Sequence, residues 1–397
     1  MTNETRIPGR ELALFSYGFR PFFLSAAIFA GIAIFCWMLL LDGAHDLAGP
    51  FTPTDWHIHE MLFGYTSAVI AGFLFTAIPN WTGRSPKRGW PLIFMLILWL
   101  AGRLACGGAF GMDLLGVMLG VMLVDLAFLA VIVATTIMEI VAGRNWRNLM
   151  VVIPVLLLLG ANLVFHLEVR FFGASDIGRR LGISVIVFLI TLIGGRIIPS
   201  FTRNWLVKRN SSKLPAPFNR LDAVCLLTGA GALLGWSFFP EGPVTAGAML
   251  GAAGLQGVRL SRWQGARTWR SPLLVMLHIA YAFVPLGLVA AGAASAGWLP
   301  PAAGAHLLGI GAIGGMTIAV MIRASLGHTG RTLEAGPLLT GAAGMIFCAA
   351  LVRACFPEIH VGGMSGLWIA ASLWIAGFAI FTLKIGPYLT STSRKPT

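Results

Sequence analysis

The segment Trp56-His57-Ile58-His59-Glu60 is the densest grouping of potential metal ligands in the chain. Imidazole is the commonest ligand of haem iron and copper, and a neighbouring carboxylate can orient the ring through its second nitrogen. Residues two apart on a helix point about 200° apart, so one of His57 and His59 could serve a haem while the other faces a second metal. An extended segment would let both bind together, and a ring at the membrane interface is the simpler alternative. His306 and His328 bracket a single apolar run. At 1.5 Å per residue they stand about 33 Å apart, so they belong to two sites unless that helix is broken. His278 lies inside an apolar run with Tyr281 one turn on, where an ionisable ring is expensive unless paired or ligating. Asp125 sits mid-run, and Asn162 falls one turn before His166. An acid in such a place serves a proton path or pairs with a buried Arg such as Arg103. Glu60, Asp125 and Tyr281 are therefore the candidate proton carriers. His45 and His360 stand near acids and read as solvated. The five Cys show no CxxC spacing and read as buried spacers, and H-E-x-x-H is absent, which leaves a zinc hydrolase without support.

These side chains must be positioned within a membrane. The chain is 57% hydrophobic and 11% charged, with a mean hydropathy of +0.82, too little polar surface to cover a water-soluble globule. Unbroken apolar stretches of about 20 residues fit spanning helices rather than the alternation of an outer-membrane barrel. The first run reads as a permanent helix, since no small-residue cleavage site follows it. The spacing predicts an all-α, polytopic fold in a single transmembrane domain, 1–397. Its twelve spans lie near 20–41, 58–80, 91–108, 114–141, 149–167, 180–199, 221–239, 243–259, 272–295, 303–323, 336–354 and 362–383. The net charge of +13 would suggest nucleic acid in a soluble protein; here it reports orientation. With the amino terminus in the cytoplasm, all but five of the 28 Lys and Arg fall on that side, the exceptions being 103, 170, 179, 180 and 353. Both termini are therefore expected to be cytoplasmic. On this topology His57, His59, His166 and His306 share the outer layer.

The exits of the second, sixth and tenth spans read alike: Ile78-Pro-Asn-Trp-Thr-Gly-Arg84, Ile198-Pro-Ser-Phe-Thr-Arg-Asn204 and His328-Thr-Gly-Arg331. Twenty-three residues before Thr82, Thr202 and Thr329 stand His59, Arg179 and His306. Three four-helix units, about 20–141, 149–259 and 272–383, would explain the match, and sites tend to form where such repeats meet. Glycines 309, 311, 314 and 315 suit close approach of the tenth helix to a neighbour or to a flat cofactor. Arg20, Arg84, Arg196, Arg203, Arg323 and Arg331 could hold anionic groups, although retention of positive charge in the cytoplasm accounts for them without a ligand.

The strings Gly18-Phe-Arg-Pro-Phe-Phe-Leu24, Trp56-His-Ile-His-Glu-Met-Leu-Phe-Gly64, Ala77-Ile-Pro-Asn-Trp-Thr-Gly83, Gly194-Gly-Arg-Ile-Ile-Pro199, His278-Ile-Ala-Tyr281 and Leu326-Gly-His-Thr-Gly-Arg331 resemble the NnrS family, in order along most of the chain. The resemblance implies a bacterial cytoplasmic-membrane protein that carries haem and copper and is associated with the response to nitric oxide. It extends the metal expectation to His57, His59, His278, His306 and His328; His166 enters on depth alone. A further architectural likeness, to haem-copper oxidases and nitric oxide reductases, implies a haem b between His59 and His306. The chain departs from that superfamily in lacking paired His on the seventh span and any His on the sixth. Copper would then fall to His57 with His166 in the outer layer, or to His278 with His328 near the cytoplasm. Three functions follow: a redox metalloprotein acting on nitric oxide with a quinol or cytochrome as electron donor, a protector or sensor that binds without turnover, and a transporter of a small solute.

Overall fold

The computed structural model describes residues 12–43, 49–109 and 115–393; His45, Asp46 and Asp113 lie outside them. Among the described residues the apolar runs form twelve helices, one at each expected span. They are α1 (Phe19–Leu41), α2 (Pro53–Thr82), α3 (Trp90–Cys106), α4 (Leu115–Ala142), α5 (Val152–Phe172), α6 (Ile177–Val207), α7 (Arg220–Phe238), α8 (Pro243–Ser261), α9 (Pro272–Ser295), α10 (Pro301–His328), α11 (Gly336–Cys355) and α12 (Gly366–Thr390). Ten of these are long and apolar enough to cross a membrane. The exceptions are α3, which is apolar but short, and the Gly- and Ala-rich α8. A two-residue hairpin of β1 (His360–Val361) and β2 (Met364–Ser365) joins α11 to α12.

Burial sorts the helices into a centre and a rim. The most apolar stretch of α2 is 83% buried and that of α10 is 72% buried, against 33% for α1 and α4. Leu, Ile and Phe side chains on the rim point outward, as lipid contact requires (Ile32, Phe94 and Leu123 among them). The helix starts follow from local chemistry. Thr52 accepts from the Asp55 backbone N–H ahead of Pro53 at the first turn of α2, and Pro301 opens α10 in the same way.

Both central helices widen into π-helical turns just after the histidines that the internal match aligned. These run over Glu60–Tyr65 after His59 and Leu307–Gly314 after His306. Such turns free backbone carbonyls and cluster at functional sites. Here Thr66 Oγ1 donates to Met61 O at 2.8 Å, and Thr317 Oγ1 donates to Ile313 O and Gly314 O at 2.7 and 2.9 Å.

The ring of helices closes where α1 packs on α12. The buried Arg20 fastens the join, donating to Tyr388 O (3.4 Å), Leu389 O (2.8 Å), Ser391 O (2.6 Å) and Ser393 Oγ (2.7 Å). Ser393 Oγ donates in turn to His328 O at 3.3 Å. Arg20, His328 and residues 388–393 thus share one face of the bundle.

On the opposite face, Glu168 at the end of α5 holds the beginning of α6. Its carboxylate accepts from Ser175 Oγ and from the backbone N–H groups of Asp176, Ile177 and Gly178, at 2.7–3.0 Å. These are donors that a helix start otherwise leaves without partners. Glu168→Ala is expected to lower stability by about 2 kcal/mol, and Glu168→Gln by roughly half of that, because the amide oxygen still accepts. Thermal unfolding in detergent measures both, and an unchanged midpoint in the Ala variant would show that α6 starts without this cap.

Candidate functional site

Two polar centres lie side by side towards the face opposite Arg20 and Ser393, divided by the geometry of α2. His57 and His59 are two residues apart on the helix and face different neighbours. His57 lines a cavity of about 1020 Å³, whereas His59 is fully buried in a hydrogen-bonded cluster.

The cavity runs between α1, α2, α6, α7, α9, α10, α11 and α12, with His57 and His306 both in its walls. Trp37 stacks on the His57 ring at 4.8 Å, and Trp236 and Trp374 add further flat apolar surface. His57 Nδ1 is buried with no hydrogen-bond partner. His306 Nδ1 lies 2.7 Å from Ala302 O, to which it must donate, so Nε2 carries the lone pair. Arg179, Arg180 and Arg353 also line the cavity, together with Asp176. Arg180 donates to Asp176 Oδ2 at 2.7 Å, and this bond is the leading reason that the Asp176 carboxyl titrates below the usual carboxylate range. Asp176 therefore stays ionised at neutral pH, and its pairing is lost only in acid.

The second centre joins α2, α3, α4 and α5. His59 Nε2 lies 3.1 Å from Asp125 Oδ2 and 3.0 Å from Asn162 Oδ1, while its Nδ1 lies 3.1 Å from Glu60 Oε1. His166 Nε2 meets the same Asp125 Oδ2 at 3.0 Å, and Asn162 Nδ2 donates to it at 2.7 Å. Arg103 bridges the acids, donating to Glu60 Oε2 at 2.6 Å and to Asp125 Oδ1. Gly64 makes room for this: a Cβ there would lie 2.7 Å from Glu60 Oε2 and would collide with the Arg103 guanidinium. Its carbonyl, within the π turn, accepts from Trp99 Nε1 at 2.9 Å.

Among the described residues, one set of donors meets the spacing of a metal site. His59, Cys106, Asp125 and His166 are all buried, with ligand atoms within 4.8 Å of one another. Glu60 and Asp125 carry two negative charges against one on Arg103, so with neutral imidazoles the cluster has room for one more cation. Burying an uncompensated charge costs several kcal/mol. A proton on an imidazole or a bound metal ion would balance it.

The remaining sequence candidates lie elsewhere. His59 and His306 are not brought together: His57 shares the cavity with His306, and His59 shares the cluster with His166. His57 and His166 likewise belong to different centres. His278 Nδ1 donates to Leu274 O at 2.9 Å and packs beside Gly265, whereas His328 stacks on Tyr17 at 5.9 Å and lies against Phe19 at 5.5 Å. Tyr281 donates to Gln256 Oε1 at 2.7 Å and accepts from Arg259 Nη1 at 3.0 Å, which makes it a node in the buried Asp222–Arg259 ion pair. His360 is exposed on β1. Sequence reasoning missed Cys106, which it read as a spacer. Its position three residues after Arg103, on the same face of α3, is the signal that could have found it. It also missed that the arginines lining the cavity are Arg179, Arg180 and Arg353 rather than any of Arg20, Arg84, Arg196, Arg203, Arg323 and Arg331. Of the latter, Arg20 holds the ring closure, Arg84 pairs with Glu139, and Arg323 lies over Phe201.

Among the described residues, twelve helices, ten of them long and apolar enough to cross a membrane, hold a cavity walled by two histidines beside a buried cluster of imidazole, carboxylate and thiol donors, and so define a multi-pass helical membrane protein with two candidate metal centres. The chain belongs to the NnrS family, a nitric-oxide-related family of membrane proteins, whose model, described as NnrS protein, matches residues 13–393. A search of curated proteins returned no match.

Proposed function

We propose that this chain is a haem- and copper-binding protein of the bacterial cytoplasmic membrane, with both termini in the cytoplasm. It would act on nitric oxide in its metabolism or in defence against nitrosative stress. The observation that carries the reading is the division of labour on α2, where residues two apart serve two centres with different donor sets.

The cavity residues fit a haem. His57 on α2 and His306 on α10 would hold it through their imidazoles, Trp37, Trp236 and Trp374 offer flat apolar walls, and Arg179, Arg180 and Arg353 suit carboxylate groups. The cluster fits copper: His59, His166 and Cys106 offer nitrogen and sulfur, Asp125 offers charge, and Glu60 orients the His59 ring from its other nitrogen. When bound, haem iron and copper supply affinity for diatomic ligands and reversible electron transfer. The chain's own part is to hold the two centres on either side of one helix, to exclude water from the cluster and to keep its charge balanced through Arg103. Electrons for turnover would come from a quinol or a cytochrome.

Oxidised and dithionite-reduced spectra of the purified protein, with iron and copper counted per chain, test this directly. His57→Ala and His306→Ala are each expected to abolish the low-spin haem signal, while His59→Ala keeps it and loses copper. A well-folded, colourless, metal-free protein would overturn the reading in favour of transport. Stoichiometric metal without steady-state nitric oxide consumption would leave binding without turnover.

A further inference from the structure

A second cavity, of about 80 Å³, lies deeper in the bilayer between α2, α5, α6 and α10. Val69, Ile70, Ile186, Ile190, Met316 and Val320 are among its walls, and Thr66 and Thr317 are the two lining residues that carry hydroxyls. Both hydroxyls are already committed to carbonyls of the π turns, and Thr317 Oγ1 is also bonded to Tyr65 OH at 2.6 Å. A water molecule needs two to four polar partners, and an apolar cavity without them stays dry and takes up apolar guests such as xenon.

The position of this cavity follows from α2, α6 and α10, which also wall the large one. Leu62, Ile183 and Ile313 line the large cavity, and Thr66, Ile186 and Met316 line the small one. On each helix the step is three or four residues, about 5 Å. The Tyr65–Thr317 hydrogen bond joins the two linings, since Tyr65 belongs to the first and Thr317 to the second.

We propose that the small cavity is a holding site for an uncharged diatomic gas, filled from the membrane and set one helical turn from the large cavity. Apolar solutes leave water for hydrocarbon, so a lipid-facing dry pocket collects such a guest where it is most concentrated. The volume suits one or two diatomics, since a water in the liquid occupies about 30 Å³. That the gas is the one acted on in the large cavity rests on the function proposed above; the existence of the site does not.

The test is xenon binding to the full chain in phospholipid nanodiscs, followed by ¹²⁹Xe NMR. The wild type is expected to show a saturable xenon site. Ile190→Phe should abolish it, and Val320→Leu, a smaller change that leaves folding intact, should weaken it at least threefold. Leu100→Phe on the exposed face of α3 should leave it unchanged. No saturable site, or one that survives in both filled variants, overturns the proposal. So does a site seen in detergent and lost in nanodiscs, which would assign the cavity to a lipid acyl chain. A protein that proves to lack haem gives the same xenon result, so failure of the functional reading is read separately from failure of this one.

Discussion

Asp125→Ala is expected to abolish copper retention and to lower stability by about 3–5 kcal/mol, the range for breaking a buried ion pair. The carboxylate is 3% exposed and meets four partners: Arg103, His59, Asn162 and His166. Without it Arg103 keeps only Glu60 as an acidic partner, and the two imidazoles lose the oxygen that gathers them. Thermal unfolding in detergent, with and without added copper, reads both consequences. At a hundredfold excess over its dissociation constant a native-state ligand adds about 2.7 kcal/mol, an increment that the variant should lack. Cys106→Ser separates metal from fold: it leaves the Arg103–Asp125 pair intact, so stability should hold, while affinity for the softer cuprous ion falls. Wild-type copper content in Asp125→Ala would remove this cluster from the metal reading.

Gly304→Ala is expected to separate α9 from α10 and, with them, to displace His306. A Cβ at this position would lie 2.6 Å from Ala291 N and 2.7 Å from Ala291 Cα. Backbone atoms cannot turn aside as a side chain can, so the helices themselves must move apart, at a cost of about 1–3 kcal/mol. His306 follows two residues later, so the haem spectrum should weaken or change together with the unfolding temperature. Gly251→Ala on α8 is the control, since a Cβ there meets nothing within 4 Å; a small gain in stability is expected from helix propensity. Equal behaviour of the two variants would show that the α9–α10 contact does not govern the cavity.

Hydropathy alone made the twelve helices legible, because a membrane demands runs of a fixed length and bounds them with charge, proline and glycine. The opposition of His57 and His59 was legible as well, since it follows from the helical repeat. Which of the two faces which centre was not. Rotation about the α2 axis is set by packing against its neighbours, α1 and α4 foremost, and neither contact leaves a mark within Trp56-His-Ile-His-Glu. The partnership of Arg103 with Asp125 could be anticipated because each is costly alone in hydrocarbon. Cys106 could not be singled out by composition, since a thiol in an apolar run is ordinarily a small hydrophobe. The π turns had no sequence signal beyond the glycines of α10, yet they set the register of both central helices.

The clasp at Arg20 bears on how the chain is made. Its acceptors stand as much as 373 positions downstream, so α1 enters the bilayer long before the oxygens that solvate its guanidinium exist. Until the ribosome has passed Ser393, that group is best served in the headgroup region, where water and lipid phosphate can reach it. Closure of the ring therefore waits on α12, whose arrival draws α1 shut.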